Sequence, residues 1–166
     1  LIAEGGQWLV QLPIFDTPDW ALQSVHLKRL LTAEDFIPAI DRELDGIYTA
    51  NVIGVIENQA PTRHLKIPVK VNQGKLCLDS NSGLAKIAVV ERHAASGRVQ
   101  VGLVHGFGLN SRCALATTVA HDSHHMIIVG TDDGLMAQAG NELVKCGGGQ
   151  IVVKDGEIVG KVELPI

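Results

Sequence analysis

The densest group of chemically reactive side chains lies between Ala120 and Met126, where the sequence "HDSHH" places three histidines around an aspartate and a serine. Histidine, aspartate and serine side chains can bind metal ions, transfer protons or form a nucleophilic relay. An aspartate beside a histidine can also orient the ring and raise its basicity. The candidate active-site contributors here are His121, Asp122, Ser123 and His124, and the weaker candidate metal ligands are His121, His124 and His125.

The spacing within this cluster favours a structural role. Side chains alternate along an extended segment, so one face would carry His121, Ser123 and His125, and the other Asp122 and His124. Neither face holds the usual set of three or four metal ligands. The alternative is that the cluster ends a strand and its polar groups satisfy backbone atoms in a turn. We favour this interpretation from the residues alone. The density of polar groups within an apolar stretch leaves a functional role of the cluster open as the alternative.

Other candidate residues lie elsewhere in the chain. His105 stands among apolar residues and glycines in "GLVHGFGL", and it could reach a ligand pocket beside the histidine-rich cluster. A single histidine on an apolar strand is more often a hydrogen-bonded core residue. An apolar run is followed by Glu91, Arg92 and His93. These residues either line a cleft at a strand end or pair with each other at the surface. The glycines at 147–149 follow a predicted helix, whereas a phosphate loop precedes its helix, so we interpret them as a helix end.

The elements around the cluster are predicted as two strands, in "ALATT" and "MIIVG", joined by a polar turn. A helix follows, with Thr131 or Asp132 as N-cap, and it ends at the three glycines. A hairpin with its turn at Asp155–Gly156 comes next. The strand–helix–strand unit from Met126 to Val153 favours a parallel relation between its strands. The apolar stripe of the helix consists of Leu135, Met136, Ala139, Leu143 and Val144.

The rest of the chain is predicted to be mainly strands. Residues 1–12 indicate a hairpin, and the segment after Thr32 makes a short helix at best, because Pro38 interrupts it. The fold class that we predict is α+β: a mixed, mostly antiparallel sheet with one strand–helix–strand unit near the C-terminus and few helices. The further predicted strands lie in "IYTANVIGVI", "RHLKIPVKV", "KLCLD", "LAKIAVVERH" and "GRVQVGLVHGFGL".

Composition limits the partners. The 166 residues are 46% hydrophobic and 19% charged, with a formal net charge of -4, so the chain can bury a core and is a poor match for nucleic acid. No apolar run approaches the roughly 18 residues of a membrane span, so we expect no membrane. Cys77, Cys113 and Cys146 form no CxxC pair and indicate no disulfide framework. A cytoplasmic location is the expected setting.

Several long strings also resemble a known family. In order and spacing they are similar to the C-terminal domain of bacterial adenine deaminases, which belong to the amidohydrolase superfamily. Two earlier strings, "LIAEGGQWLVQLP" and "FDTPDWALQSVHLKRLLTAEDF", are similar to the segment that joins that domain to the catalytic barrel. The resemblance implies two parts, residues 1–46 (the end of the small β-domain that accompanies the barrel, plus a connecting segment) and 47–166 (the C-terminal domain), in a fragment without its barrel. The strings that carry it are "LAKIAVVERH", "VQVGLVHGFGL", "TTVAHDSHHMIIVGTDD" and "NELVKCGGGQIVVKDGEIVGKVELPI".

The family's activity would then apply to the parent enzyme. The resemblance implies a metal-dependent hydrolase of purine salvage and adenine catabolism, which converts adenine and water to hypoxanthine and ammonia. It implies a binuclear manganese or iron centre held by the barrel, and none of the barrel's metal motifs occurs in this chain. The implied partners are adenine, the amidohydrolase barrel domain and further copies in a homo-oligomer. We expect this domain, through the turn from His121 to His125 and with His105, to cover or support the active site, and we expect it to be inactive alone.

One departure and three alternatives remain. The family's turn reads "HDSHN", so His125 stands where the family has asparagine. The chain could instead be a non-catalytic module that binds a ligand or metal. It could be a structural domain of a related amidohydrolase that forms oligomers through sheet edges. It could also belong to an enzyme of the same architecture that acts on a different nucleobase.

Overall fold

The computed structural model describes residues 1–11, 13, 16–40, 44–79 and 82–165. Outside these ranges lie Leu12 of the predicted hairpin, residues 41–43 in the segment after Thr32, and Ile166, the last residue of the final string that carries the resemblance. Two short 3₁₀ helices span Asp19–Ala21 and Ala33–Phe36, and one α-helix, α1, spans Asp133–Lys145. The strands are β1 (Ala3–Glu4), β2 (Gln7–Trp8), β3 (Gly46–Gly54), β4 (Arg63–Asn72), β5 (Lys75–Cys77), β6 (Leu84–Val90), β7 (Val99–His105), β8 (Cys113–Thr117), β9 (Met126–Gly130), β10 (Gly149–Lys154) and β11 (Glu157–Glu163).

Nine of these strands form one sheet, in the order β11-β10-β8-β9-β6-β7-β3-β4-β5. All neighbours pair antiparallel except β3 and β7, which pair in parallel at Ile53–Val104 and Gly54–His105. Strands β1 and β2 pair separately as a small hairpin. The predicted fold class is therefore confirmed, with a mixed, largely antiparallel sheet and one helix between β9 and β10.

Strands β9 and β10 run in the same direction but do not pair. Strand β8 lies between them and is antiparallel to both. The other edge of β9 is taken by β6, so the strand that returns after α1 pairs with the free edge of β8. The expected parallel direction is confirmed, and the crossover by α1 passes over an intervening strand.

Helix α1 packs across β8, β9 and β10 and covers one face of that part of the sheet. Its start and end follow the predicted signals: the Asp132 side chain accepts a hydrogen bond from the Leu135 amide at 2.9 Å, and Gly147 takes a left-handed φ of 80°. Four of the five predicted stripe residues are buried, and Val144 is partly buried.

The segment before β3 packs onto the same core. The Phe36 side chain is fully buried there, and the Asn141 side chain of α1 bonds both backbone groups of Leu31, at 2.8 and 2.9 Å. The predicted division at residue 46, where β3 begins, stays a prediction. Of the described helices, none is long and apolar enough to cross a membrane.

Candidate functional site

The histidine-rich turn, residues 118–125, connects β8 to β9 at one end of the sheet. Met126, the first residue of β9, pairs with Val90, the last residue of β6. The residues that follow β6, Glu91 to His93, therefore lie beside the turn. Two candidate groups that are about 30 positions apart in the sequence are brought together here, as the hydrogen bond from His93 to Ser123 shows.

The turn has a constrained backbone. Asp122 and His124 take φ values of 68° and 51°, a left-handed conformation that side chains other than glycine adopt infrequently. Two backbone hydrogen bonds close the turn, from the His124 amide to the Ala120 carbonyl at 2.8 Å and from the Ser123 amide to the His121 carbonyl at 3.0 Å. Such conformations persist only where the surroundings hold them in place.

Arg92 supplies much of that support. Its side chain reaches the turn by donating from Nε to the His124 carbonyl at 2.6 Å. It also donates from a terminal nitrogen to the carbonyl and the hydroxyl of Ser24, at 3.0 and 2.6 Å. Arg92 is only 5% exposed, and burial lowers the pKa of its guanidinium. None of these acceptors is a carboxylate, so neutral oxygens stabilise the buried positive charge of Arg92. Through these bonds Arg92 connects the turn to the N-terminal segment.

His93 and His125 form the second contact between the two groups. Their ring centroids are 4.9 Å apart, with the planes tilted by 44°, and His93 Nε2 lies 3.1 Å from the Ser123 carbonyl. The Nδ1 atom of His125 is buried without a hydrogen-bond partner among the described residues. His125, for which the resemblance implies asparagine, packs against the ring of His93.

Glu91 organises the loop that follows β6. Its carboxylate accepts hydrogen bonds from the amides of His93, Ala94 and Ser96, at 2.6, 2.7 and 2.9 Å, and from the Ser96 hydroxyl at 2.7 Å. These donors, led by the Ala94 amide, lower the pKa of Glu91 to about 2. The loop after β6 is thus held by a carboxylate that stays ionised over nearly the whole pH range.

His121 and Asp122 project from the turn into solvent. His121 Nδ1 lies 3.0 Å from Asp122 Oδ1, and the two side chains are 98% and 91% exposed. Adjacent residues meet here because the chain turns, so the alternation expected for an extended segment does not apply. Ser123 and His124 are also exposed, and the Ser123 hydroxyl accepts a long hydrogen bond of 3.4 Å from the His125 amide.

The donor set does not fit a metal ion. Within the part of the chain that the structure describes, no three His, Cys, Asp or Glu side chains come close enough together to hold one. His121 points outward while His125 packs against His93, so the candidate ligands of the turn do not converge. The described residues therefore present no convergent set of metal ligands.

His105 lies at the other end of the sheet. It pairs with Leu84, the first residue of β6, whereas the turn adjoins Val90, the last. A seven-residue strand spans about 20 Å, so His105 does not reach the turn, contrary to the expectation from sequence. The physical reason is the antiparallel pairing of β6 and β7, which places the end of β7 at the start of β6. Its ring instead lies against Gly83, where an added Cβ would come within 3.2 Å of Nε2.

Comparison with known proteins agrees with the resemblance seen in the sequence. A family model described as the adenine deaminase C-terminal domain matches residues 59–166. A Roseobacter denitrificans protein named adenine deaminase is 48% identical over 166 residues, which cover 100% of this chain and 27% of that protein. Adenine deaminases from Moorella thermoacetica and Clostridium botulinum are 43% and 40% identical, again over 100% of this chain and 28% and 27% of theirs. The chain belongs to the adenine deaminase C-terminal domain family, and it spans about a quarter of the length of these relatives.

Proposed function

We propose that this chain is the C-terminal domain of a cytoplasmic adenine deaminase, a hydrolase of adenine catabolism and purine salvage that converts adenine and water to hypoxanthine and ammonia. The support is the family match over residues 59–166, together with relatives of that name that align along the whole chain. Because the chain covers only 27% of the Roseobacter protein, the reaction is proposed for the longer enzyme and not for this domain alone.

The metal centre belongs, in this proposal, to another part of the enzyme. A binuclear manganese or iron centre would supply the activated water for the reaction. The described residues of this chain offer no convergent set of ligands for it, so no step through the metal is assigned to them.

The role proposed for this domain is to cover or support the active site through the histidine-rich turn. The observation that carries this role is a contrast: His121 and Asp122 are almost fully exposed, yet the backbone that presents them is fixed by the buried Arg92. Polar side chains presented by a rigid support are the arrangement that binding sites use. An imidazole and a carboxylate could hydrogen-bond a purine or help to exclude water from the mouth of a barrel. His105 is left out, since it lies at the opposite end of the sheet.

The test replaces both exposed side chains, as His121→Ala with Asp122→Asn, in the complete enzyme. We expect kcat/KM for adenine to fall by about tenfold or more, the scale of losing a positioned polar contact. His64→Ala is the matched control, because His64 is an exposed histidine of β4 and should leave the rate unchanged. Equal rates for the double variant and the unmodified enzyme would contradict the role of the turn. Failure of the unmodified enzyme to release ammonia from adenine would contradict the reaction itself.

A further inference from the structure

The sheet has two different faces. Ile151 and Val153 of β10 are buried against α1, so Val152 between them points to the other side. Cross-strand partners share a face, and Val152 pairs with Leu115 of β8 and with Gly160 of β11. Following these pairings across the sheet defines the open face, the side away from α1, through Leu115, Thr117, Ile127, Val89, Val152 and Val162.

These six residues carry no charge, and polar side chains border them: Gln100, Gln150 and Lys154 share the face by their pairings, and Lys161 lines its groove. The same side of the sheet changes character at β3 and β4, where Asn51, Lys66 and Lys70 point outward. A strand whose outer face is adapted to water alternates buried apolar residues with outward polar ones, as β4 does with Lys66 and Lys70. The centre of the open face instead exposes apolar residues within a polar border, which is typical of a surface that a partner covers.

The open face is nevertheless bare in the described part of the chain. Val89, Val152 and Val162 are 39%, 37% and 56% exposed. An open groove of about 480 Å³ runs between β8, β10 and β11, and a Cβ added at Gly160 would meet nothing within 4 Å. Next to this bare part of the sheet, Leu109 packs against the buried cluster of Ala85, Val104 and Val129. Contiguous exposed apolar surface of this kind marks a docking site.

We propose that the open face docks against an apolar surface of the same polypeptide, in the part of the longer enzyme that lies outside this chain. The chain is 27% of the length of its Roseobacter relative, so about three quarters of such an enzyme is available to cover it. An occupant within the same molecule is present at a high effective concentration, and it avoids the entropy cost of association that a second copy would incur. The apolar centre of the face argues for an apolar partner surface. This inference rests on the proposed function, because it takes the chain to be one domain of a longer enzyme.

The experiment places lysine on the open face, as Val152→Lys, in both the complete polypeptide and the 166-residue chain. In the complete polypeptide the lysine would be buried without a partner, and we expect the unfolding midpoint of this domain to fall by about 5 °C or more. In the chain alone the lysine stays in water, and the midpoint should not change. Val89→Lys on the central strands should behave in the same way. Ile47→Lys is the matched control, since Ile47 is 77% exposed on the polar part of the same side.

Two results would overturn the inference. The first is an unchanged midpoint in the complete polypeptide for both Val152→Lys and Val89→Lys. The second is a dimer of the 166-residue chain in sedimentation that Val152→Lys dissociates, which would make a second copy the occupant. Adenine deamination by the unmodified complete polypeptide is measured separately. If the enzyme deaminates adenine but tolerates lysine on the open face, only the docking inference is contradicted. If the enzyme is inactive but lysine on the open face destabilises it, only the proposed reaction is contradicted.

Discussion

Replacing Arg92 by methionine keeps an unbranched apolar stem but removes three hydrogen bonds, one to His124 and two to Ser24. Bonds to a charged donor contribute about 1.5–3 kcal/mol each, so the three together contribute roughly 4.5–9 kcal/mol before any offset. The variant also avoids the desolvation cost of a buried guanidinium, which offsets several kcal/mol of the lost hydrogen-bond energy. A net loss of about 2–4 kcal/mol follows, which is a large part of the roughly 5–15 kcal/mol that stabilises a domain.

The assay is urea unfolding of Arg92→Met beside Arg98→Met, a control at an exposed arginine of the same loop. The control should lie within about 0.5 kcal/mol of the unmodified chain. Hydrogen exchange of the Ser123 and His124 amides adds a local measurement, because loss of the Arg92 hydrogen bonds should speed exchange in the turn before the whole domain unfolds. Equal midpoints for the two variants, with unchanged exchange in the turn, would refute this role of Arg92.

Two further predictions concern the loop after β6 and the start of β10. Because the pKa of Glu91 falls from 4.5 to about 2 on folding, its stabilising effect is complete above about pH 4.5 and is lost as the pH falls towards 2. Glu91→Gln should remove this pH dependence, measured as the unfolding midpoint in that range, and an identical pH profile would contradict it. Gly149→Ala should destabilise the chain by more than about 2 kcal/mol in urea unfolding, since φ is 137° and a Cβ would strike the Val162 carbonyl. Gly160→Ala is its control, and equal losses would contradict the argument.

Local signals predicted the elements better than their order. The limits of α1 follow from the Asp132 cap and from the glycine at 147, both of which act within one turn of the helix. The position of β8 between β9 and β10 depends on which edge stays free after the earlier strands have paired, and no local pattern records that. The polar turn was predicted between the correct two strands, because a turn depends on local sequence. The residues that lie beside the turn in space depend on the order of the strands, and they were not predicted.

The site was predictable as a group of residues but not as an arrangement. The histidine-rich turn stands out by composition, yet the residues that hold it are Arg92, from a motif with two open interpretations, and Ser24, which carried no signal. Arg92 and Ser24 are 68 positions apart, so their contact arises from tertiary packing alone. His105 was misplaced because a strand's direction in the sheet decides at which end its last residue lies.

The location of β8 within the sheet has a consequence for synthesis on the ribosome. Both partners of β8 come later in the chain: β9 follows the histidine-rich turn, and β10 emerges only after α1. During translation both edges of β8 are therefore unpaired until β9 is made, and one edge stays unpaired until β10 is made. Unpaired strand edges can pair with other chains. We expect a nascent chain that stalls within α1 to need protection until β10 closes the sheet, so the order of translation favours a chaperone at that stage.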